Sequence, residues 1–221
     1  MKRKTLLLLA GGVLLAACAA GFALYRALRH TPQFYREALA MDPATQHRAS
    51  DQMLQRATAL ASDLNKPGRW QAVFTAEQIN GYLAVQLPKD HPALLPPGFH
   101  DPRIAISPQQ VALACRYEDT RVACVLSLTV DVYLAGPNVI ALRIRRARAG
   151  SIPLPLDNVL RQISRATEHL AWRVQWRQAE GDPVAEIHLP MPRAKDGKRI
   201  RIDSLRLGEG EIYVAGTTLN P

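Results

Sequence analysis

The residues of this chain with the widest chemical repertoire are six histidines, at positions 30, 47, 91, 100, 169 and 188, and no two of them stand at a metal-ligand spacing. The densest grouping is Asp90-His91 with His100-Asp101, on either side of a proline-rich stretch. Loop His and Asp residues of this kind are ordinarily solvated, so neither a metal nor a cofactor is expected. No Gly-x-Ser-x-Gly elbow, phosphate-binding glycine loop, dinucleotide fingerprint, His-Glu-x-x-His or Cys-x-x-Cys occurs. A non-enzymatic protein without catalytic residues is the expectation.

The three cysteines and one arginine run carry the remaining chemistry. Leu15-Ala16-Ala17-Cys18 has the form of a lipobox, in which the cysteine is lipidated. Cys115 and Cys124 lie on two alternating runs flanking Asp119-Thr120. A hairpin centred there sets Val111 opposite Leu128, Leu113 opposite Leu126, Cys115 opposite Cys124, and Tyr117 opposite Val122. Direct opposition would allow a disulfide in an oxidising compartment; two buried, reduced thiols are the alternative. Arg143-Ile144-Arg145-Arg146-Ala147-Arg148 is the densest charge beyond residue 30. It reads either as a solvated strand end or as a contact with anionic lipid headgroups.

The elements that position these groups begin with an anchor. Thr5–Tyr25 holds no charged residue, and twenty-one residues in a helix span about 30 Å, the hydrocarbon thickness of a bilayer. Lys2, Arg3, Lys4, Arg26 and Arg29 flank it with no acid among them, supplying +5 of the formal +9. The basicity therefore marks a membrane and not nucleic acid. The three basic residues before the segment place the N-terminus inside and the remainder outside the cytoplasm. Three outcomes stand: an uncleaved anchor, a lipoprotein modified at Cys18, and a cleaved signal peptide.

Beyond the anchor, Thr31-Pro32 and Asp42-Pro43 are helix starts. Met53, Leu54, Ala57, Leu60, Ala61 and Leu64 form one apolar stripe. A short strand over 70–74 meets Thr75-Ala76-Glu77-Gln78, a capping box opening a helix with Ile79, Tyr82 and Leu83 inward. The stretch 88–102, with five prolines, reads as a surface loop. The period then changes to two. Val111–Tyr117, Val122–Leu134 and Ile140–Ile144 alternate as strands, a helix follows over 156–169, and strands resume over 172–176, 184–189, 200–207 and 212–216.

The elements Thr31-Pro32-Gln33-Phe34-Tyr35, Phe74 to Asn80, Gly150-Ser151-Ile152-Pro153-Leu154-Pro155, and Ile202-Asp203-Ser204-Leu205 with Glu209-Gly210-Glu211-Ile212 resemble the YpmS-like group of membrane-anchored bacterial proteins. More distantly, the chain is similar to TULIP-like extracytoplasmic lipid-binding domains, with a curved sheet around a long helix. That resemblance implies an apolar groove and transfers no catalytic residue.

The expectation is an α+β protein: an N-terminal transmembrane helix, then helices packed on one face of a curved antiparallel sheet. Residues 1–30 are the anchor, 31–66 a helical stalk or hairpin, and 67–221 an extracytoplasmic domain. The expected site is an aliphatic row, Leu128, Val130, Val132, Leu142 and Ile144, ending at Arg146 and Arg148, which continue the alternation. It would hold acyl chains with a phosphate near the arginines, unless helices cover it. Expected partners are the inner membrane through residues 5–25 and lipid or envelope proteins. The main alternative function is a scaffold of an envelope complex with no small ligand; an envelope-acting enzyme is a third.

Overall fold

The computed structural model describes residues 2–120, 122–156, 160, 173–189 and 197–220, with side chains from Leu15 onward apart from Ala93 and Arg173. Its α+β architecture, with a large antiparallel sheet, agrees with the pattern read from the sequence. The backbone of α1 is helical from Lys2 to Leu28. Among the described residues no helix is long and apolar enough to cross a membrane. The expectation of a membrane anchor therefore rests on the sequence of Thr5–Tyr25 alone.

Short α2 (Gln33–Leu39) and long α3 (Pro43–Leu64) follow. The Asp42 carboxylate caps α3, accepting from Thr45 N at 3.0 Å, with Pro43 in the first turn. The start expected at Thr31 is displaced by one residue: Pro32 occupies the cap of α2 and offers no side-chain bond. Strand β1 (Gly68–Thr75) enters α4 (Ala76–Val85) through the expected capping box. Thr75 Oγ1 accepts from Gln78 N and Gln78 Oε1 from Thr75 N, each at 3.2 Å.

Helices α3 and α4 cross at small residues. A Cβ on Gly81 would lie 2.7 Å from Ser50 N and 2.8 Å from Gln46 O, backbone atoms with no freedom to move aside. Ala49 and Ser50 are buried in that crossing. Of the expected stripe, Leu54 and Ala61 are exposed, while Met53, Ala57, Leu60 and Leu64 are half-buried. Segment 31–66 packs on the elements that follow it, α3 against α4 and α2 through the Tyr35 hydroxyl, which donates to Asp101 O.

The stretch expected as a loop holds α5 (Leu87–Asp90), a 3-10 turn and then strand β2 (Phe99–Ile106). Pro102 hid this strand. A bulge between His100 and Arg103 leaves Asp101, at φ +50°, and Pro102 out of the ladder, on an edge where a missing N–H is tolerated. With β3 (Val111–Glu118), β4 (Ala123–Gly136), β5 (Val139–Ala149), β6 (Ile152–Pro153), β7 (Arg173–Ala179) and β8 (Asp182–His188), it forms a sheet in the order β2-β3-β4-β5-β8-β7, β6 pairing with β5.

The last two strands depart from the single sheet expected. Strands β9 (Arg199–Leu207) and β10 (Glu211–Leu219) pair with β1 in a second sheet, ordered β1-β10-β9. The core lies between the two sheets. Ile106, Val111, Val130 and Ile144 are buried there, packed by Ala76 and Ile79 of α4, Leu207 and Ile212 of the small sheet, and Leu156 and Leu160. The rest of the helix expected over 156–169 falls outside the described residues.

Two asparagines bind edge strands as a neighbouring strand would. Asn80 on α4 donates to Ile104 O at 2.9 Å and accepts from Ile104 N at 2.8 Å, closing the edge of β2. Asn138, in the β4–β5 turn, donates to Ile200 O at 2.9 Å and accepts from Ile202 N at 2.7 Å, tying the large sheet to the edge of β9. Unpaired edge groups would otherwise invite another chain.

Candidate functional site

The turn at Gly136–Asn138 sets the register of β4 against β5: Leu134 opposes Ile140, Val132 opposes Leu142, and Val130 opposes Ile144. The next step breaks the alternation. A bulge between Thr129 and Val130 sets Thr129 opposite Arg146, Leu128 opposite Ala147, and Ser127 opposite Arg148. Arg146 and Arg148 therefore do not continue the apolar row past Ile144. They are turned to the hydroxyl-bearing face and exposed, while Ala147 and Ala149 are buried in their place.

The expected groove lining meets a packed core. Val130 and Ile144 are 4% and 2% exposed and pack with Ile106 and Val111. Leu128 and Val132 pack against that cluster from half-buried positions, and Leu142 is also half-buried.

On the opposite face, a cleft of about 600 Å³ is lined by Gln109, Gln110, Thr129, Asp131, Arg145, Arg146 and Asp182. Its charges are largely internal pairs. Asp182 accepts from Arg143 Nε and Arg145 Nη1, both at 2.8 Å; Arg145 Nε reaches Asp131 at 2.6 Å and Arg143 Nη2 reaches Glu180 at 2.9 Å. The Arg143 guanidinium is the main cause holding the Asp182 carboxyl below its ordinary range, with Arg145 adding to it. Arg146 and Arg148 have no such partner among the described residues. The arginine run thus divides into a paired half and an unpaired half.

The unpaired half stands beside the end of α1. Ser151 N donates to Ala27 O at 2.9 Å, and Gly150 N donates to Val125 O at 2.7 Å. Gly150 has φ +60°, and a Cβ there would collide with the carbonyls of Ala27 and Leu28. Only glycine lets the helix end approach this turn so closely. On the last turns of α1 the Arg29 guanidinium lies 4.7 Å from the centre of the Tyr25 ring.

The register predicted for Cys115 and Cys124 is corrected by two residues. Cys115 opposes Leu126 and Cys124 opposes Tyr117, so the cysteines are diagonal neighbours on one face. Their separation in that arrangement, about 7–8 Å between Cα atoms, exceeds the usual disulfide range. Both are free thiols, as is the exposed Cys18. Burial is the main cause pushing the Cys115 thiol up to about 11, with Cys124 contributing, and burial also raises Cys124. The expected outcome of maleimide labelling of the folded domain at pH 7 is that Cys115 and Cys124 stay unmodified. Cys115 and Cys124 should react only once denaturant opens the sheet; peptide mass mapping checks this. Fast native labelling of Cys124 would show that this end of the sheet opens.

A second cleft, of about 750 Å³, lies over the small sheet and is lined by Arg69, Gln71, Arg201, Asp203, Tyr213 and Thr217 among others. Thr217 Oγ1 donates to Asp203 at 2.6 Å and Arg201 Nε pairs with the same carboxylate at 2.6 Å. Those two contacts, the hydroxyl first, hold Asp203 below its ordinary range. Near β2, Tyr35 is buried and its hydroxyl donates to Asp101 O at 2.9 Å, which seats α2. Asp101 also pairs with Arg116 at 3.2 Å. Among the described residues no group of three His, Cys, Asp or Glu could hold a metal.

Sequence reasoning missed Asn80, Asn138, Gly81 and Gly150. The only local signal was Asn138 in Gly136-Pro137-Asn138, a turn that favours the left-handed conformation it adopts, at φ +60°. Comparison with family models, curated proteins and solved structures finds no match.

Proposed function

We propose that this is a membrane-anchored, extracytoplasmic, non-enzymatic domain that works as an interaction module held against the bilayer. One observation carries the reading. Leu15, Phe22, Leu24 and Tyr25 of α1 are 73%, 65%, 55% and 53% exposed, although the same helix ends hydrogen-bonded to the sheet. The stretch Thr5–Tyr25 of that helix carries no charge, and apolar side chains this bare are stable in a hydrocarbon environment and costly in water. The seat at Gly150–Ser151 supports a domain oriented by its anchor rather than trailing on a linker. The resemblance to the YpmS-like group is part of the same proposal.

A second reading, a carrier of acyl chains, draws on the half-buried Leu128, Val132 and Leu142. It requires Val130 and Ile144 to open, which the interaction module does not. The topology has a direct test. Protease added to intact spheroplasts should digest the domain beyond Arg29, and full protection would place it in the cytoplasm. Intact-mass measurement of protein extracted gently from its membrane distinguishes a free from a lipidated Cys18, reports cleavage, and detects any retained lipid.

A further inference from the structure

We infer that Arg146 and Arg148, together with Arg26 and Arg29 of α1, form a docking surface for the anionic phospholipid headgroups of the leaflet from which α1 emerges. The inference rests on the anchor reading and adds what the domain itself touches.

Position is the first argument. Arg148 and Arg146 precede Gly150 by two and four residues, so they stand at most about 7 and 13 Å along the strand from the turn on which α1 is seated. Those distances are comparable with the range over which a charged surface acts at physiological salt, about 8 Å. Arg26 and Arg29 lie on the last turn of α1 and just beyond it, next to Tyr25, the kind of aromatic residue that settles at headgroup level.

Chemistry is the second. On the same face Arg143 and Arg145 are neutralised by Asp131, Glu180 and Asp182, and Arg116 faces Asp101. Arg146 and Arg148 are exposed, and their strand partners are Thr129 and Ser127, whose hydroxyls are further phosphate donors. Asp131 and Asp182 line the same cleft as Arg146 and are both engaged by Arg145, while Arg148, two residues further along β5, stands opposite Ser127. The bulge is the third argument. Without it Arg146 and Arg148 would point into the core, so the irregularity that buries Ala147 and Ala149 also supplies two outward cations.

The test uses the full chain in vesicles of phosphatidylcholine alone or mixed with phosphatidylglycerol. Flotation reports the anchor. Phenylglyoxal modification, followed peptide by peptide, reports the guanidiniums, with the exposed Arg199 of the small sheet as reference. The expected result is flotation with both vesicles, and modification of Arg146 and Arg148 each slowed about fivefold by phosphatidylglycerol, at about 1 kcal/mol per basic residue. High salt should restore the rate, and Arg199 should be indifferent. Inorganic phosphate added to the neutral vesicles should give no protection; protection there would assign the site to a soluble anion and overturn the proposal. Flotation with both vesicles and equal rates would overturn the headgroup contact while leaving the anchor standing. Failure to float with either would remove both.

Discussion

Replacing Asn138 by alanine is expected to lower the unfolding free energy by about 3–5 kcal/mol, among the largest single losses available in this fold. Asn138 is 8% exposed and holds φ +60°, a conformation that disfavours residues with a Cβ other than Asn and Asp. Its amide satisfies two backbone groups of β9, a strand whose other edge pairs with β10. Alanine leaves Ile202 N and Ile200 O without that partner, at about 1–3 kcal/mol each. It also adds the left-handed strain, about 1–2 kcal/mol. Glycine separates the terms: Asn138→Gly should recover the strain and still lose the clamp. Urea midpoints of the two variants, at constant slope, make the measurement. Equal stabilities for Asn138→Ala and the native chain would mean that the two sheets hold together without this contact.

The parts of the fold that were legible in the sequence are those written in neighbouring residues. The Thr75–Gln78 capping box and the Asp42 cap need only four residues to specify them, and both form. The β4–β5 register near Asn138 was legible because a short turn and an alternating row leave one solution. The same logic failed at β3–β4 for a physical reason. The turn is closed by Asp119 N donating to Val122 O at 2.9 Å, which sets Glu118 opposite Ala123. A shift of two residues preserves every face, so the period-two pattern could not detect it. The Arg145 bulge is also invisible to strict alternation, and only the small, apolar Ala147 and Ala149 between arginines hint at a change of phase. Nothing local announces that β1 pairs with β10, where Gln71 opposes Ala215 and its side chain accepts from the Tyr213 hydroxyl at 3.0 Å. The candidate site was therefore legible as a set of arginines and illegible as an arrangement.

Whether the aliphatic row is a core or a groove is decided by Val130→Trp. Val130 opposes Val111 on one neighbouring strand and Ile144 on the other, and all three are buried in one cluster with Ile106. Above that face stand Ile79 of α4 and Leu207 and Ile212 of the small sheet. An indole has no space there without moving β4, α4 or the second sheet, and overpacking of this kind typically costs about 1–3 kcal/mol and sometimes more. The substitution is expected at the upper end, about 3 kcal/mol, because the site is closed by three elements. Val130→Ala removes two methyl groups from the same place and should cost about 2 kcal/mol. A groove predicts the opposite pair of results. A tryptophan in an open channel would be tolerated and would block a fluorescent acyl probe, and alanine would merely widen the channel. Denaturation midpoints and probe binding on the same two variants therefore separate the readings. A Val130→Trp chain with native stability and lost probe binding would overturn the packed core and restore the acyl carrier.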